Sequence, residues 1–347
     1  MWRIVRGGAR CRRWTSLVLA TFICSSVIIY SYIYFHAIRS IKIAKKLKYV
    51  QRNQTAAQPI AQPWKERVQK LTKNQRMPLL TLFTTWIDND DKKLVHNITI
   101  VNWLSLRPFV LPIIFTNETA LAKTCELAGW KTMPLRVVAA DGVPVLKYMY
   151  IDAMKRYESS LYAFANGDIL FTDTLIDTLA EILQDNSTSH KHTLIIGRRT
   201  NTNNITMKEV SSWKELTVVA KKRGKLFRSD AEDYFVTSAS YPWHEIPDFV
   251  VGRRAYDNWL VLNARKQKHR VIDASLTILA VHQTTDDGNY ESKKKETREY
   301  NHLLLLSLYE SIKYNLGDCI CAEYETSLRS GRIWITPRRL RKFCRLR

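Results

Sequence analysis

The chain has 347 residues, of which 46% are hydrophobic, with 11 Gly and 10 Pro; this excludes a largely disordered or fibrous polymer and suffices for one large core or two modest ones. Its 54 Lys and Arg against 32 Asp and Glu give a net charge of +22, a balance that ordinarily raises nucleic acid as a partner. Much of that charge flanks one apolar segment or falls in the last residues, so no nucleic-acid partner is expected.

Residues 1–13 read as a cytosolic tail containing Arg3, Arg6, Arg10, Arg12 and Arg13. Residues 14–35, Trp14 to Phe35, carry no charge and are long enough to cross a hydrocarbon core of about 30 Å as a helix. They read as an uncleaved signal anchor, because a cleaved signal peptide has a shorter apolar stretch and a small-residue cleavage site. Tyr30, Tyr32, Tyr34 and Phe35 fit an interfacial belt. Arg39, Lys42, Lys45, Lys46 and Lys48 follow the span, so the positive-inside rule is nearly balanced. Five N-glycosylation sequons, at Asn53, Asn97, Asn117, Asn186 and Asn204, all lie beyond it and place the remainder in a lumen. The expectation is a single-pass type II protein of the Golgi or endoplasmic reticulum membrane. Cys125, Cys319, Cys321 and Cys344 share that side and permit three pairings, Cys319 and Cys321 being too close to bond each other.

Residues 36–78 have little apolar periodicity and read as a stem. A domain spanning 79–318 follows. Leu79 to Ile87 is a strand ending at Asp88-Asn89-Asp90-Asp91, whose carboxylates either touch a ligand or cap the helix from about Lys92 to Leu106. Phe109 to Thr116 is a second strand, with Pro112 marking an edge or bulge. A helix from Glu118 closes at Gly129. Met133 to Val138 is a third strand closing on Asp141, which either meets a ligand or sits in a plain turn. Val145 to Tyr157 is a helix packing Leu146, Met149, Ala153 and Tyr157 on one face.

The stretch Leu161 to Phe171, LYAFANGDILF, is the focus of the chain. A buried strand, Leu161 to Ala165, stops at Asn166-Gly167-Asp168. Two oxygen-bearing side chains flanking a glycine at a strand's carboxyl end either hold a hard cation with its phosphate ligands or form a turn before a helix capped by Thr172 or Asp173. That helix turns Leu175, Ile176, Leu179, Ala180 and Leu183 inward, and His192 to Gly197 is a further strand. Strand and helix alternate five times, which implies an α/β domain with a mostly parallel sheet.

Arg198 and Arg199 stand at the next strand end, where guanidinium groups suit diphosphate oxygens or a surface turn. After a helix around Ser211 to Lys222, the acidic pair Glu232-Asp233 enters a short strand. Gly252 follows a strand and allows close backbone approach to a ligand, and Asp257 lies in the first turn of a helix where a carboxylate can serve as a base. Val271 to Gln283 is a strand ending at His282, either structural or a ligand. Leu303 to Tyr314 is a helix, and residues 319–347 read as a solvated basic tail with Arg338, Arg339, Arg341, Lys342, Arg345 and Arg347.

From about Leu79 to His282 the chain resembles the GT-A class of glycosyltransferases. That class has an acidic Asp-x-Asp metal motif ending a central strand, a glycine-containing loop, an acidic residue opening the following helix, and a late histidine. Asn166-Gly167-Asp168, Gly252, Asp257 and His282 stand here in that order. The wider sequence also looks like a group of invertebrate type II membrane proteins carrying FANGDILF and GRRAYDNWLV.

The resemblance implies a GT-A-like fold and transfer of a sugar from a nucleotide-diphosphate donor to a glycan, protein or lipid acceptor. It implies that Asn166, Gly167, Asp168, Arg198, Arg199, Gly252 and Asp141 contact the donor. Asp168 and His282 would hold Mn²⁺ or Mg²⁺, and Asp257, with Asp233 as competitor, would be the base of an inverting reaction. Asn166 departs from the pattern by replacing the first carboxylate. That departure keeps open a catalytically inactive binding protein of the same fold, and the net charge keeps open a basic protein that binds polyanions by charge alone.

Overall fold

The computed structural model describes residues 77–185, 192–285 and 296–346. The expected tail and span, nearly all of the expected stem, and the sequons at Asn53 and Asn186 lie outside the described residues. Among the described residues no helix is long and apolar enough to cross a membrane. The expected Golgi or endoplasmic reticulum membrane localisation is corrected on that finding.

The chain opens with β1 (Leu80–Thr84), buried throughout, and helix α1 (Lys93–Ser105). Next come β2 (Val110–Phe115), α2 (Thr119–Ala128) ending in left-handed Gly129, and β3 (Lys131–Met133). A short hairpin, β4 (Val138–Ala139) and β5 (Val143–Pro144), leads into α3 (Leu146–Arg156). Strands β6 (Leu161–Ala165) and β7 (Ile169–Phe171) flank the Asn166–Asp168 turn and precede α4 (Asp173–Gln184), whose N-cap Thr172 accepts from the N–H of Thr174. Then follow β8 (Thr193–Ile196), β9 (Arg199–Asn203), α5 (Trp213–Arg223), β10 (Lys225–Leu226) and β11 (Tyr234–Ser238). The chain continues through α6 (Tyr256–Lys266), β12 (Arg270–Asp273), β13 (Ala280–Thr284), α7 (Tyr300–Leu308), β14 (Tyr324–Arg329) and β15 (Arg332–Pro337).

The main sheet has nine strands in the order β15-β14-β12-β8-β11-β6-β1-β2-β3. Its strands are mostly parallel, as expected from the alternation of strand and helix. The exceptions are β11, antiparallel to β6 and β8, and β15, antiparallel to β14. A second sheet has the order β10-β9-β13-β7. The chain passes from the main sheet to the second one three times, at Asn166–Asp168 between β6 and β7, at Gly197–Arg198 between β8 and β9, and over residues 274–279 between β12 and β13.

Several expectations change in this light. Val271 to Gln283 is two strands, β12 in the main sheet and β13 in the second, so His282 lies within a strand and not at the end of a single long one. Arg199 to Asn203 is a strand and not a turn. Pro112 occupies an interior strand, tolerated because β3 pairs only with Ile113 to Phe115 and leaves the Pro112 position uncovered on that side. In α4, Ile182 is buried and Leu183 exposed. Residues 319–347 are not a solvated tail: they supply β14 and β15 and the disulfide Cys321–Cys344, while Cys125 and Cys319 stay as buried thiols.

The core joins Phe83, Phe115, Tyr150, Phe164, Phe235 and Trp243 in one cluster. Tyr150 stacks on Trp243 and bridges two strands: its hydroxyl donates to Phe235 O and accepts from the Phe164 N–H. Helix α1 grips the Gly167 turn and the second sheet through Thr99, Asn102 and Trp103, the last two three and four residues beyond the first and so on its helical face. Asn102 donates to Phe171 O at 2.9 Å and accepts from Phe171 N–H at 2.8 Å, and Trp103 Nε1 donates to Ile169 O at 2.9 Å.

Asn102→Ala strands a buried N–H and a buried C=O of β7, and each such group costs about 1–3 kcal/mol. Urea unfolding should show a loss of at least that size; stability within experimental error of wild type would show that β7 is held without Asn102.

Candidate functional site

In an open α/β sheet a ligand crevice forms at the carboxyl ends of the strands where the order of connection reverses. Here β2 lies on one side of β1 and β6 on the other, so the switch point, where such a crevice belongs, falls between the ends of β1 and β6. Thr84 and Trp86 come from the first, and Asn166, Gly167 and Asp168 from the second. The turn is held from behind: Thr99 Oγ1 donates to Gly167 O at 2.7 Å, and Gln283 N–H to Asp168 O at 3.0 Å. Gly167 is required by proximity, since a Cβ there would stand 2.6 Å from the Trp86 ring.

Because β11 runs antiparallel to β6 with Tyr234 opposite Ala165, Asp233 arrives beside Asn166. Asn166 Nδ2 donates to Asp233 Oδ1 at 2.8 Å, and Arg199 Nη1 to Asp233 Oδ2 at 2.5 Å. Burial pushes the Asp233 carboxyl up while Arg199 and His282 pull it down. Both its oxygens are engaged, which makes Asp233 an anchor and a poor free base. Arg199 also donates to Asn201 and lies over the Phe227 ring. Arg198, expected at the diphosphate, instead donates through Nε and Nη2 to Phe227 O.

His282 is buried, its Nε2 3.1 Å from Asp168 Oδ2 and its Nδ1 3.1 Å from Thr284 Oγ1. Burial alone would raise the Asp168 pKa; the charge and hydrogen bond of His282, then Arg199, outweigh it and hold the carboxyl below its ordinary value. The other oxygen, Asp168 Oδ1, is buried with no hydrogen-bond partner among the described residues. No group of three or more His, Cys, Asp or Glu able to hold a metal occurs among the described residues. An ionised carboxylate with a free oxygen beside an imidazole therefore fits a divalent cation that arrives with its remaining ligands on a diphosphate, and does not fit a cation held by protein alone.

Asp257 lies in the first turn of α6 as expected. Burial is the main cause that pushes its carboxyl up to about 7, with the charge of Asp233 adding to it against backbone hydrogen bonds. Its Oδ1 is also buried without a partner. Next to it Glu232, fully buried, accepts from Cys319 Sγ at 3.2 Å and is pushed well above the carboxylate range by burial and by the charge of Asp257. Gly252 takes a left-handed φ of 65° in the exposed turn before α6, with open space around its Cα. Asp141 is placed elsewhere, at the exposed tip between β4 and β5, where its charge acts on Arg253.

Sequence reasoning missed Thr84, Trp86, His96 and Glu232. Trp86 stacks on His96 at 4.5 Å, and burial pushes His96 down to about 4, leaving the imidazole neutral. Thr84 Oγ1, Trp86 Nε1 and His96 Nδ1 join Asp168 Oδ1 as buried polar atoms without partners. Native interiors rarely leave such atoms unsatisfied, so four of them around one crevice mark a place that a polar ligand would complete. The signal in the sequence was only a Thr-Thr-Trp at a strand end. Two sequons also acquire structural reasons: the Thr99 hydroxyl is spent on Gly167, and the Asn117 amide pairs with both backbone groups of Leu135.

No protein-family model matches the chain, and no curated protein sequence does. Among solved structures it is similar to a mannosyltransferase from Pyrobaculum calidifontis in complex with GDP-Man and Mn²⁺, at 11% identity and TM-score 0.38 over 78% of this chain and 77% of that one. A CMP:2-keto-3-deoxy-manno-octonic acid synthetase with CTP is similar at 9% identity and TM-score 0.33, covering 68% of this chain and 100% of that one. A mycobacterial protein is similar at 10% identity and TM-score 0.36, covering 66% and 71%. At this level the likeness speaks to neither activity nor ligand.

Asn166→Asp replaces a donated hydrogen bond by two carboxylates in contact at Asp233, leaving one buried acceptor unsatisfied at a cost of about 1–3 kcal/mol. Thermal unfolding without divalent cations should show the variant less stable than wild type; an equal midpoint would remove the amide–carboxylate pair from the account.

Proposed function

We propose that the protein transfers a sugar from a nucleotide-diphosphate donor to a hydroxyl of a glycan, protein or lipid acceptor. The observation that carries this reading is a pair of buried carboxyls, each within electrostatic reach of Asp233, with partnerless oxygens and opposite tuning: Asp168 at the switch point is held low and Asp257 is raised to about 7. Environments that push paired titratable groups apart are a mark of acid–base chemistry.

On this reading the donor lies in the crevice, its polar groups completing Thr84, Trp86, His96 and Asp168. Asp168, oriented by His282 through its other oxygen, would hold Mn²⁺ or Mg²⁺, a cation that neutralises charge on a departing diphosphate. For an inverting transfer, the acceptor oxygen bonds to the anomeric carbon as the carbon–oxygen bond to the diphosphate breaks, the electron pair leaving with the diphosphate. Asp257 Oδ1 takes the hydroxyl proton, for which a pKa near 7 is well matched. Asp233 and Arg199 position Asn166 and Asn201 and take no proton.

One observation favours a second reading, ligand binding without transfer: the Asn166 amide is committed to Asp233, so the turn offers a cation one carboxylate. Nucleotide sugars screened against the full chain, with and without Mn²⁺, separate the two readings by thermal shift and release of free nucleotide. Transfer predicts a manganese-dependent shift and nucleotide release with one donor, both lost in Asp168→Ala. A shift without release supports binding alone, and no shift with any donor on folded protein sinks both.

Asp257→Asn tests the base by two readouts. Turnover should fall about 10²- to 10⁴-fold while the donor-induced shift persists, and wild-type turnover should rise with pH through about 7. The folded carboxyl, with its raised pKa, binds more protons than the unfolded one between about pH 4 and pH 7, so it makes wild-type stability fall as pH rises across that window. Asp257→Asn should lessen this decline; a variant with an unchanged pH–stability curve would falsify the assignment of the raised pKa to Asp257.

A further inference from the structure

One face of the second sheet carries a half-open cavity of about 490 Å³. The register explains its lining. In the parallel pair β9–β13, Asn201 stands opposite His282 and Asn203 opposite Thr284, and in the antiparallel pair β9–β10 Lys225 stands opposite Asn201. Directly paired residues share a face, so these side chains lie together with Arg199. The alternate residues Leu170 and Val281 pack on the other face against Leu216 and Ala220 of α5.

The cavity adjoins the candidate site through two hydrogen bonds. Asn201 Oδ1 accepts from Arg199 Nε at 2.9 Å, and Thr284 Oγ1 lies 3.1 Å from His282 Nδ1. What remains to meet a ligand is the Asn201 amide nitrogen, the Asn203 amide, the Thr284 hydroxyl, the half-buried Phe227 ring and the exposed Leu226. Amides and a hydroxyl beside an aromatic ring suit a compound that is hydroxylated on its edges and apolar on its face. Among the described residues no carboxylate lines the cavity. The segment Lys221 to Arg228 holds five cations, of which Arg223 is paired with Glu209 and Arg228 with Asp230, while Lys221, Lys222 and Lys225 are exposed.

We propose that this cavity binds an acidic saccharide, the part of the acceptor beyond the reacting hydroxyl, with Lys225 facing its anionic group. The proposal rests on the transferase reading for its role as acceptor site, and on the cavity's own lining for its chemistry.

Methyl β-D-glucuronide and methyl β-D-glucoside, each titrated against the full chain by saturation-transfer NMR, test it, with Lys225→Ala and Asn203→Ala as variants and the donor thermal shift as control. The expected result is saturation of the glucuronide in preference to the glucoside, with Kd raised about five-fold in Lys225→Ala, the size of one exposed ion pair, and raised also in Asn203→Ala. Equal binding of the two glycosides, binding of neither, or a Kd unmoved by either variant overturns the proposal. A donor shift that persists alongside such a result removes the cavity alone. Absence of any donor shift with glucuronide binding intact removes the acceptor role together with the transferase reading.

Discussion

The structure depends on one backbone crossing, at Gly167. There the chain leaves the main sheet after β6 and enters the second sheet as β7, and the two sheets leave no room for a side chain between the turn and Trp86. A turn that leaves one sheet for another would be a weak point if only its own hydrogen bonds held it. It is instead fixed from α1, whose Thr99, Asn102 and Trp103 bond the backbone of Gly167, Phe171 and Ile169, and from β13, which pairs with β7 and bonds Asp168 O. Asp168 and His282 meet because the same pairing aligns their strands. Their contact is a consequence of the crossing and needs no separate device.

The local electrostatics run against the chain as a whole. A protein of net charge +22 gathers Asp168, Glu232, Asp233 and Asp257 at one end of β6 and β11, and burial raises the cost of ionising every one of them. Only some of that cost is met. His282 and Arg199 outweigh burial at Asp168 and only partly offset it at Asp233, which still shifts upward, as do Asp257 and Glu232, which have no cation bonded to them among the described contacts. The division follows from the strand that brings each group: Arg199 and His282 belong to neighbouring strands of the second sheet, and Asp257 sits on α6.

What was legible in the sequence was local. Alternating strands and helices gave the mostly parallel sheet, the end of the apolar run at Ala165 marked the turn, and Asp257 followed a breaker into a helix. What was not legible depended on pairings between distant segments. Val271 to Gln283 reads as one apolar run, and only the transfer to a second sheet splits it. Arg198 looks as free for a diphosphate as Arg199 until Phe227 O captures it. The cationic residues near the end read as a tail because nothing local shows that Arg338 will bond Asp273 or that Arg265, buried within α6, will bond Cys344 O. The stack of Trp86 on His96 carried no signal, since a contact across a strand end and a helix has no sequence period.

Asn166 brings these strands of reasoning together. As a carboxylate it would face Asp233 across 2.8 Å, and Arg199 alone would have to offset two negative charges in a buried place. As an amide it donates to Asp233, satisfies one oxygen while Arg199 satisfies the other, and ties β6 to the start of β11. The antiparallel strand between β6 and β8 is what makes this possible, because it brings the residue before its first strand position back to the crevice. An amide at position 166 thus fits the placement of Asp233. The carboxylate stands one strand over, where Arg199 bonds it, and Asp168 keeps a buried oxygen without a partner among the described residues.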